Sequence, residues 1–469
     1  MNSKLVSLFC CLIMLVSFSG CTKVTQLVKD NQPTKAELLA EINEEHQRWE
    51  AAPAADPTPY LRHYDDPADA QKYFDYVTDT YSEYNAAKEL SLEEAEEDVN
   101  YLFDAFYYDF AFYDYFGGHT VFDQAKAEIL QELQAKDNLT CKDLQEILVK
   151  HLTFIKDGHF NINHNFPAEK EIPFFFRQVM FVKTDSGYQD SKGKTVVSVD
   201  GHPDLDTLFK RSISQEGYLV YYPVLLKEAK FDGTEWDKHV CDEQLTVHYA
   251  DGSTDVLTAD TWSQYYKDLP KDQNTDLRQT DGIPVFQFNH FDPSFLEETN
   301  AAAAQMSNAE ISMLDLRSNV GGYEEVAHQW FNRYSHQRVF GTGVRYSVLP
   351  ASLVASPSTS KTPRASNDNI LILLSGKCSA SCAEITLDLS YNLDNSLIIG
   401  ENTNGSMISN SGHIELPNSK CSVDMTFSTV YLTPDGSDYF EELRGFFPDI
   451  WVPAKEAETL AAKLMENLK

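Results

Sequence analysis

The sequence is short of positive charge. Lys and Arg number 38 against 72 Asp and Glu, a net charge of −34. A surface of that sign repels phosphate backbones and anionic headgroups, which argues against nucleic acid as a partner and against electrostatic adhesion to lipid. Cysteine is sparse too: eight residues in 469, at positions 10, 11, 21, 141, 241, 378, 382 and 421, at irregular spacings that make no disulfide framework. Past residue 21 no apolar run approaches the ~20 residues of a membrane span. HExxH, GxSxG, GxGxxG and P-loop patterns are all missing, so a zincin, an ordinary α/β-hydrolase and a nucleotide cofactor have no signal. No cofactor and no metal is expected.

What is present is ample core material, 42% hydrophobic and 12% aromatic residues, over a length that suggests about three domains. At the start, Lys4 precedes an apolar run from Leu5 to Phe18 that ends in Ser19-Gly20-Cys21. Such a run is too short to span a bilayer comfortably and reads as a signal peptide over 1–20. Small residues before a cysteine resemble a bacterial lipobox, with Cys21 the lipid acceptor. The expectation is a lipoprotein anchored to a bacterial membrane outside the cytoplasm, with 21–34 as a polar tether.

Residues 35–165 read as a helical N-terminal domain. A helix is predicted from Lys35 to Ala52, and the text from Ala68 to Leu152 is helix-like. Its aromatic stretch Tyr101–Phe116 predicts a buried helix ended by Gly117-Gly118. Residues 168–262 predict a small β domain, with strands and tight turns at Val196–Gly201 and at Gln244–Tyr249 followed by Asp251-Gly252. A polar connection is expected over 263–282. Residues 280–469 then alternate strands (Pro284–Phe288, Glu310–Leu316, Asn369–Leu374, Leu397–Gly400) with helices (Ser294–Ala304, Cys382–Leu393), the pattern of an α/β domain with parallel strands. Sites in such sheets form beyond the carboxyl ends of the strands.

Two turns at those ends are candidates. Ser381 sits where a strand turn meets a helix start, with the Cys382 amide pointing outward to favour a developing oxyanion. The same residues, Ser381-Cys-Ala-Glu384, also fit a capping box, S-x-x-E. In the other turn, Gly321-Gly322 permits the close backbone approach that an oxyanion loop needs. Cys378 and Cys382 flank the serine without CxxC spacing and read as small packing residues; a Cys378–Cys421 bridge is left open. Lys377, four residues before Ser381, reads as a solvated turn residue and, in the alternative, as a base.

Asp315-Leu-Arg-Ser-Asn-Val-Gly-Gly322 resembles the D-L-R-x-N-x-G-G signature of the tail-specific (C-terminal processing) and tricorn-core serine peptidases. Leu373–Glu384 is similar to that family's nucleophile segment. Gly400-Glu401-Asn-Thr403, Thr433-Pro-Asp-Gly436 and Glu442-Leu-Arg-Gly-Phe-Phe-Pro-Asp449 match its later blocks in order and spacing. The resemblance implies a crotonase-like, ClpP-like ββα-spiral catalytic core, a PDZ-like identity for 168–262 and peptide or protein substrates. It also implies Ser381 as nucleophile, with Gly321, Gly322 and Cys382 at the oxyanion. The tail-specific branch carries a Lys about 25 residues after the Ser; here that place is Ser406, so its Ser/Lys dyad is excluded. The tricorn-like branch takes an upstream His instead, and Asp157-Gly-His159 resembles that step. His159 is then the base, with His119 the competing histidine, and Glu442 the orienting carboxylate, with Glu441 its neighbour. The usual carboxylate-binding loop of PDZ domains is missing. The alternative is a non-catalytic, ligand- or peptide-binding lipoprotein on the same fold.

Overall fold

A computed structural model describes residues 24–50, 56–72, 75–230, 241–270, 273–347, 364–407, 409–434 and 439–468. Cys21 and the expected signal peptide lie outside them, as do two residues of the Thr433–Gly436 block. Among the described residues no helix is long and apolar enough to cross a membrane.

The predicted alternation of strands and helices builds a six-stranded sheet in the order Thr275–Thr280, Ile283–Phe288, Ile311–Asp315, Ile370–Ser375, Ser396–Gly400, Ile450–Trp451. Only the first pair is antiparallel; the others run parallel. The Ile370–Ser375 strand is apolar without a break from Ile370 to Leu374 because both of its faces are covered. Leu371 and Leu373 pack with Ala302, Trp330 and Leu387, from the helices Leu296–Met306, Glu324–Ser335 and Cys382–Tyr391. Ile370, Ile372 and Leu374 pack with Leu460 and Leu464 of the C-terminal helix Ala457–Asn467. Each such side chain removed from water is worth about 1.5–3 kcal/mol.

The polar text at 263–282 differs from its expectation: Thr275–Thr280 is the edge strand of this sheet. An edge strand shows half its surface to water, so it carries polar residues and leaves no apolar run to read.

The helix predicted from residue 35 runs Lys35–Glu50, and it buries Leu38 and Ile42 with the six-stranded sheet. The helices Leu92–Asp109, Gly118–Gln134 and Cys141–His151 share a core with the strand Ser422–Leu432, through Val423, Met425 and Phe427. That strand is the centre of a four-stranded sheet with Asn161–Ile162, Val344–Ser347 and Ser409–Glu415. The aromatic stretch does not form one helix. The Leu92 helix starts at a Ser91/Glu94 capping box and ends at Asp109, and the chain turns before Gly117, whose φ of +106° opens the next helix. The glycines therefore start a helix where they were expected to end one.

Between these parts, Lys170–Phe175 and Leu219–Ala229 anchor a five-stranded sheet, and Val196–Val199, Gln244–Tyr249 and Thr254–Thr258 form a three-stranded one. Both share one apolar cluster around Phe174, Phe209 and Trp262. The segment is thus built of paired antiparallel strands.

Candidate active site

Three loops leave the carboxyl ends of neighbouring parallel strands: 316–322, 376–381 and 401–406. The first two are stitched together. Ser379 Oγ donates to the Leu316 carbonyl (2.8 Å), and the Ala380 amide donates to that of Asn319 (3.0 Å). Between them Ser381 is held at φ +56°, ψ −119°. A left-handed φ with that ψ is strained for an L residue, at about 1–3 kcal/mol, and it turns the side chain out of the strand-to-helix corner. Gly321 closes against it: a Cβ there would lie 2.7 Å from Ser381 Cβ. Gly322, at φ +128°, leaves no room either, since its Cβ would meet the Phe291 carbonyl oxygen at 2.5 Å.

The signature around these glycines divides by task. Asn319 Oδ1 accepts the Gly321 amide (2.8 Å) while its Nδ2 donates to the Phe288 carbonyl (2.7 Å). The Gly321 amide is therefore engaged already. Asp315 and Arg317 are buried below the loop and pair with each other at 2.7 Å, away from the serine.

Glu384, three residues into the helix, accepts the Ser381 amide on Oε2 (3.1 Å), so the capping-box geometry is present. The same oxygen accepts the Ser406 amide (2.8 Å), while Oε1 accepts the Gly405 amide (2.7 Å) and the Thr403 hydroxyl (2.5 Å). One buried carboxylate thus fastens the Ser381 turn to the 403–406 loop.

His159 arrives on the far side of that loop. Gly158 is required there by close approach: a Cβ on it would lie 2.1 Å from the Gly405 carbonyl oxygen. Its amide donates to Glu442 Oε1 (2.7 Å). Asp157, which sequence reasoning passed over although it belongs to the D-G-H step, accepts the His159 amide on Oδ1 (2.9 Å) and the Thr426 hydroxyl on Oδ2. Asp157 Oδ1 stands 3.9 Å from His159 Nδ1. Burial, with the nearby Lys170 charge, pushes the imidazole down to about 3, so it is neutral at working pH. Burial, with Asp157 and Glu384 adding, pushes the Glu442 carboxyl well up.

The competing residues lie elsewhere or are occupied. Glu441 is exposed and pairs with Arg444 (3.0 Å). His119 is half exposed on the helix Gly118–Gln134, bonded to Tyr113 (3.1 Å) and Asp65 (2.9 Å). Lys377 is not the solvated turn residue expected: it is buried under the loops, and its Nζ donates to the Thr403 carbonyl (2.5 Å). Burial draws it down to about 7. Cys382 Sγ donates to the Gly322 carbonyl (2.6 Å), and Cys378 accepts from Gln264 (2.8 Å). Burial pushes both thiols up, to about 12 and about 11, so neither is a thiolate nucleophile. Cys378 and Cys421 are both free thiols.

Asp157, His159 and Glu442 bring one ligand atom each within 4.8 Å of one another. Two carboxylates and an imidazole suit a divalent cation as well as an acid–imidazole pair. Here a buried ammonium, Lys170, already supplies positive charge to the same carboxylates. The charge balance favours the acid–imidazole arrangement.

Solved structures of similar outline include mature CPAF complexed with lactacystin (13% identity over 80% of this chain and 98% of that one, TM-score 0.43). The photosystem II D1 C-terminal processing protease matches at 13% identity over 80% and 97% (TM-score 0.36). A lipoprotein from Streptococcus agalactiae matches at 10% identity over 83% and 100% (TM-score 0.38). No curated protein sequence matches. Residues 283–452 match the family model described as Peptidase family S41. Those residues, which hold the Ser381 turn, the Gly321-Gly322 loop and Glu442, make up a Peptidase family S41 domain, the domain of a serine-type peptidase.

Proposed function

We infer that the protein is a lipid-anchored, extracytoplasmic serine endopeptidase working through a Ser381 acyl-enzyme with His159 as general base. The observation that carries this is the strained Ser381 backbone clamped by Gly321, a conformation that a helix cap alone has no need of. A neutral His159 is in the protonation state that accepts the Ser381 proton as the hydroxyl attacks a peptide carbonyl. The amides of Gly322 and Cys382, the latter at a helix N-terminus, then hold the oxyanion, since that of Gly321 is engaged. The imidazolium that forms is balanced by Glu442, with Asp157 beside Nδ1. It returns its proton to the leaving amine, and water resolves the ester. The helices before residue 165 form the N-terminal domain in this reading, and the β segment around Val196–Val199 is a degenerate PDZ-like module that lacks the loop for a substrate carboxylate. The Leu5–Cys21 segment supplies the anchor.

The test is labelling of the soluble form from residue 22 with a fluorophosphonate probe, beside Ser381→Ala and His159→Ala. Loss of label in both variants is the expected result. A folded wild type that takes no label sinks the peptidase mechanism and leaves a binding protein on the same fold.

A further inference from the structure

We propose that Lys170 is a positioning residue of this site: its buried ammonium ties the turn that carries His159 to the loop that Glu384 fastens to Ser381. The proposal rests on the peptidase reading above. Lys170 opens the strand Lys170–Phe175, outside the residues of the family match, and no motif marks it.

The geometry is specific. Lys170 is 2% exposed, and an ammonium has three hydrogens to place. They go to the Gly158 carbonyl (2.9 Å), to Ser406 Oγ (2.7 Å) and to Asn404 Oδ1. The Phe166 ring lies 4.4 Å from Nζ. Two of the three acceptors belong to the 403–406 loop, whose amides Glu384 shares with Ser381. The third is the residue before His159. Ser406 stands where the tail-specific resemblance places a lysine, and here an ammonium reaches that spot from another strand.

Charge gives the tie a second role. Facing Lys170 are the carboxyls of Glu442, Glu384 and Asp157, and the His159 imidazole and the Lys377 amine share the cluster. Carboxylates buried together take up protons unless a cation balances them. The ammonium disfavours the imidazolium directly, but it also draws the raised Glu442 carboxyl back toward its charged form, which offsets the imidazolium that forms when His159 takes the Ser381 proton. Burial draws Lys170 itself down to about 8, against the pull of Glu442, Glu384 and Asp157. Its charge is present below that pH and lost above it.

The experiment follows the fluorophosphonate labelling rate across pH in wild type, Lys170→Met and Ser406→Ala. Alongside it, hydrogen exchange is followed in the 157–160 and 404–406 amides. Wild type is expected to lose rate as pH rises through about 8. Lys170→Met should label on the order of 100-fold more slowly, without that alkaline fall, and exchange faster in both segments. Ser406→Ala keeps the cation with one acceptor fewer, so its fall should move to lower pH. A Lys170→Met protein with wild-type rate and profile, or with unchanged exchange, overturns the proposal. So does label that survives His159→Ala but not Lys170→Met, which makes Lys170 the base. If Lys170→Met does not fold, identical flat profiles in wild type and Ser406→Ala overturn it. If wild type takes no label, the peptidase reading fails and exchange alone decides the role of Lys170.

Discussion

Ser381 and its neighbours show how much a single side chain here depends on backbone that is not its own. Its φ of +56° with ψ −119° is paid for by the 316–322 loop, which pins the corner through Asn319 and leaves no volume at Gly321. Removing the hydroxyl alone does not relieve that strain, because alanine keeps the Cβ. Glycine does relieve it. Ser381→Gly is therefore expected to be more stable than Ser381→Ala by about 1–3 kcal/mol, read from urea denaturation midpoints, with neither variant taking label. Equal stabilities would mean that the turn is not strained.

At the scale of elements, the helix Cys382–Tyr391 and the 403–406 loop meet on one carboxylate. Glu384 accepts four hydrogen bonds, two on each oxygen. Glutamine offers one acceptor oxygen and turns an NH2 toward the other pair. Glu384→Gln should cost about 1–3 kcal/mol for each donor left unpaired. Because two of the donors are loop amides, it should also raise hydrogen exchange at Gly405 and Ser406. A destabilised protein whose loop exchange is unchanged would place the cost elsewhere in the helix.

Across the whole molecule, the signature residues Asp315 and Arg317 join the site's sheet to the C-terminal helix. Arg278 reaches Asp315 (2.7 Å) and Glu458 (2.5 Å), and Arg317 reaches Glu458 (2.7 Å). Burial raises both carboxyls, but the two guanidiniums outweigh it and hold them below their ordinary values. As pH falls, the unfolded chain takes these protons first. The stability they contribute is thus full above about pH 4.3 and is lost as pH drops through the lower folded values. Glu458→Gln should flatten that acid limb in thermal melts followed by circular dichroism. A limb as steep as that of wild type would show that other carboxylates carry it.

Much of the fold was legible because its strands are covered on both faces. Runs such as Ile370–Leu374 have no other use in water. The edge strand Thr275–Thr280 was illegible for the opposite reason. The aromatic stretch misled because Tyr and Phe mark burial without marking period: the Leu92 helix ends at Asp109 while the buried rings continue. Within the site, the turn residues Ser381, Gly321 and Gly322 could be named from chain neighbours alone, since strained corners and close approaches restrict residue type locally, whereas the D-G-H step was marked only by its family resemblance. Asp157 and Lys170 could not. Buried charge is set by what faces it, and Lys170 meets partners at 158, 404 and 406 that only the folded chain assembles. By itself the sequence determined the strand-to-helix turn at Ser381, the Gly321-Gly322 loop and four parallel strands of the sheet. The tertiary structure decided which cations and carboxylates surround the imidazole, because electrostatics in a buried site depends on distance in space and not along the chain.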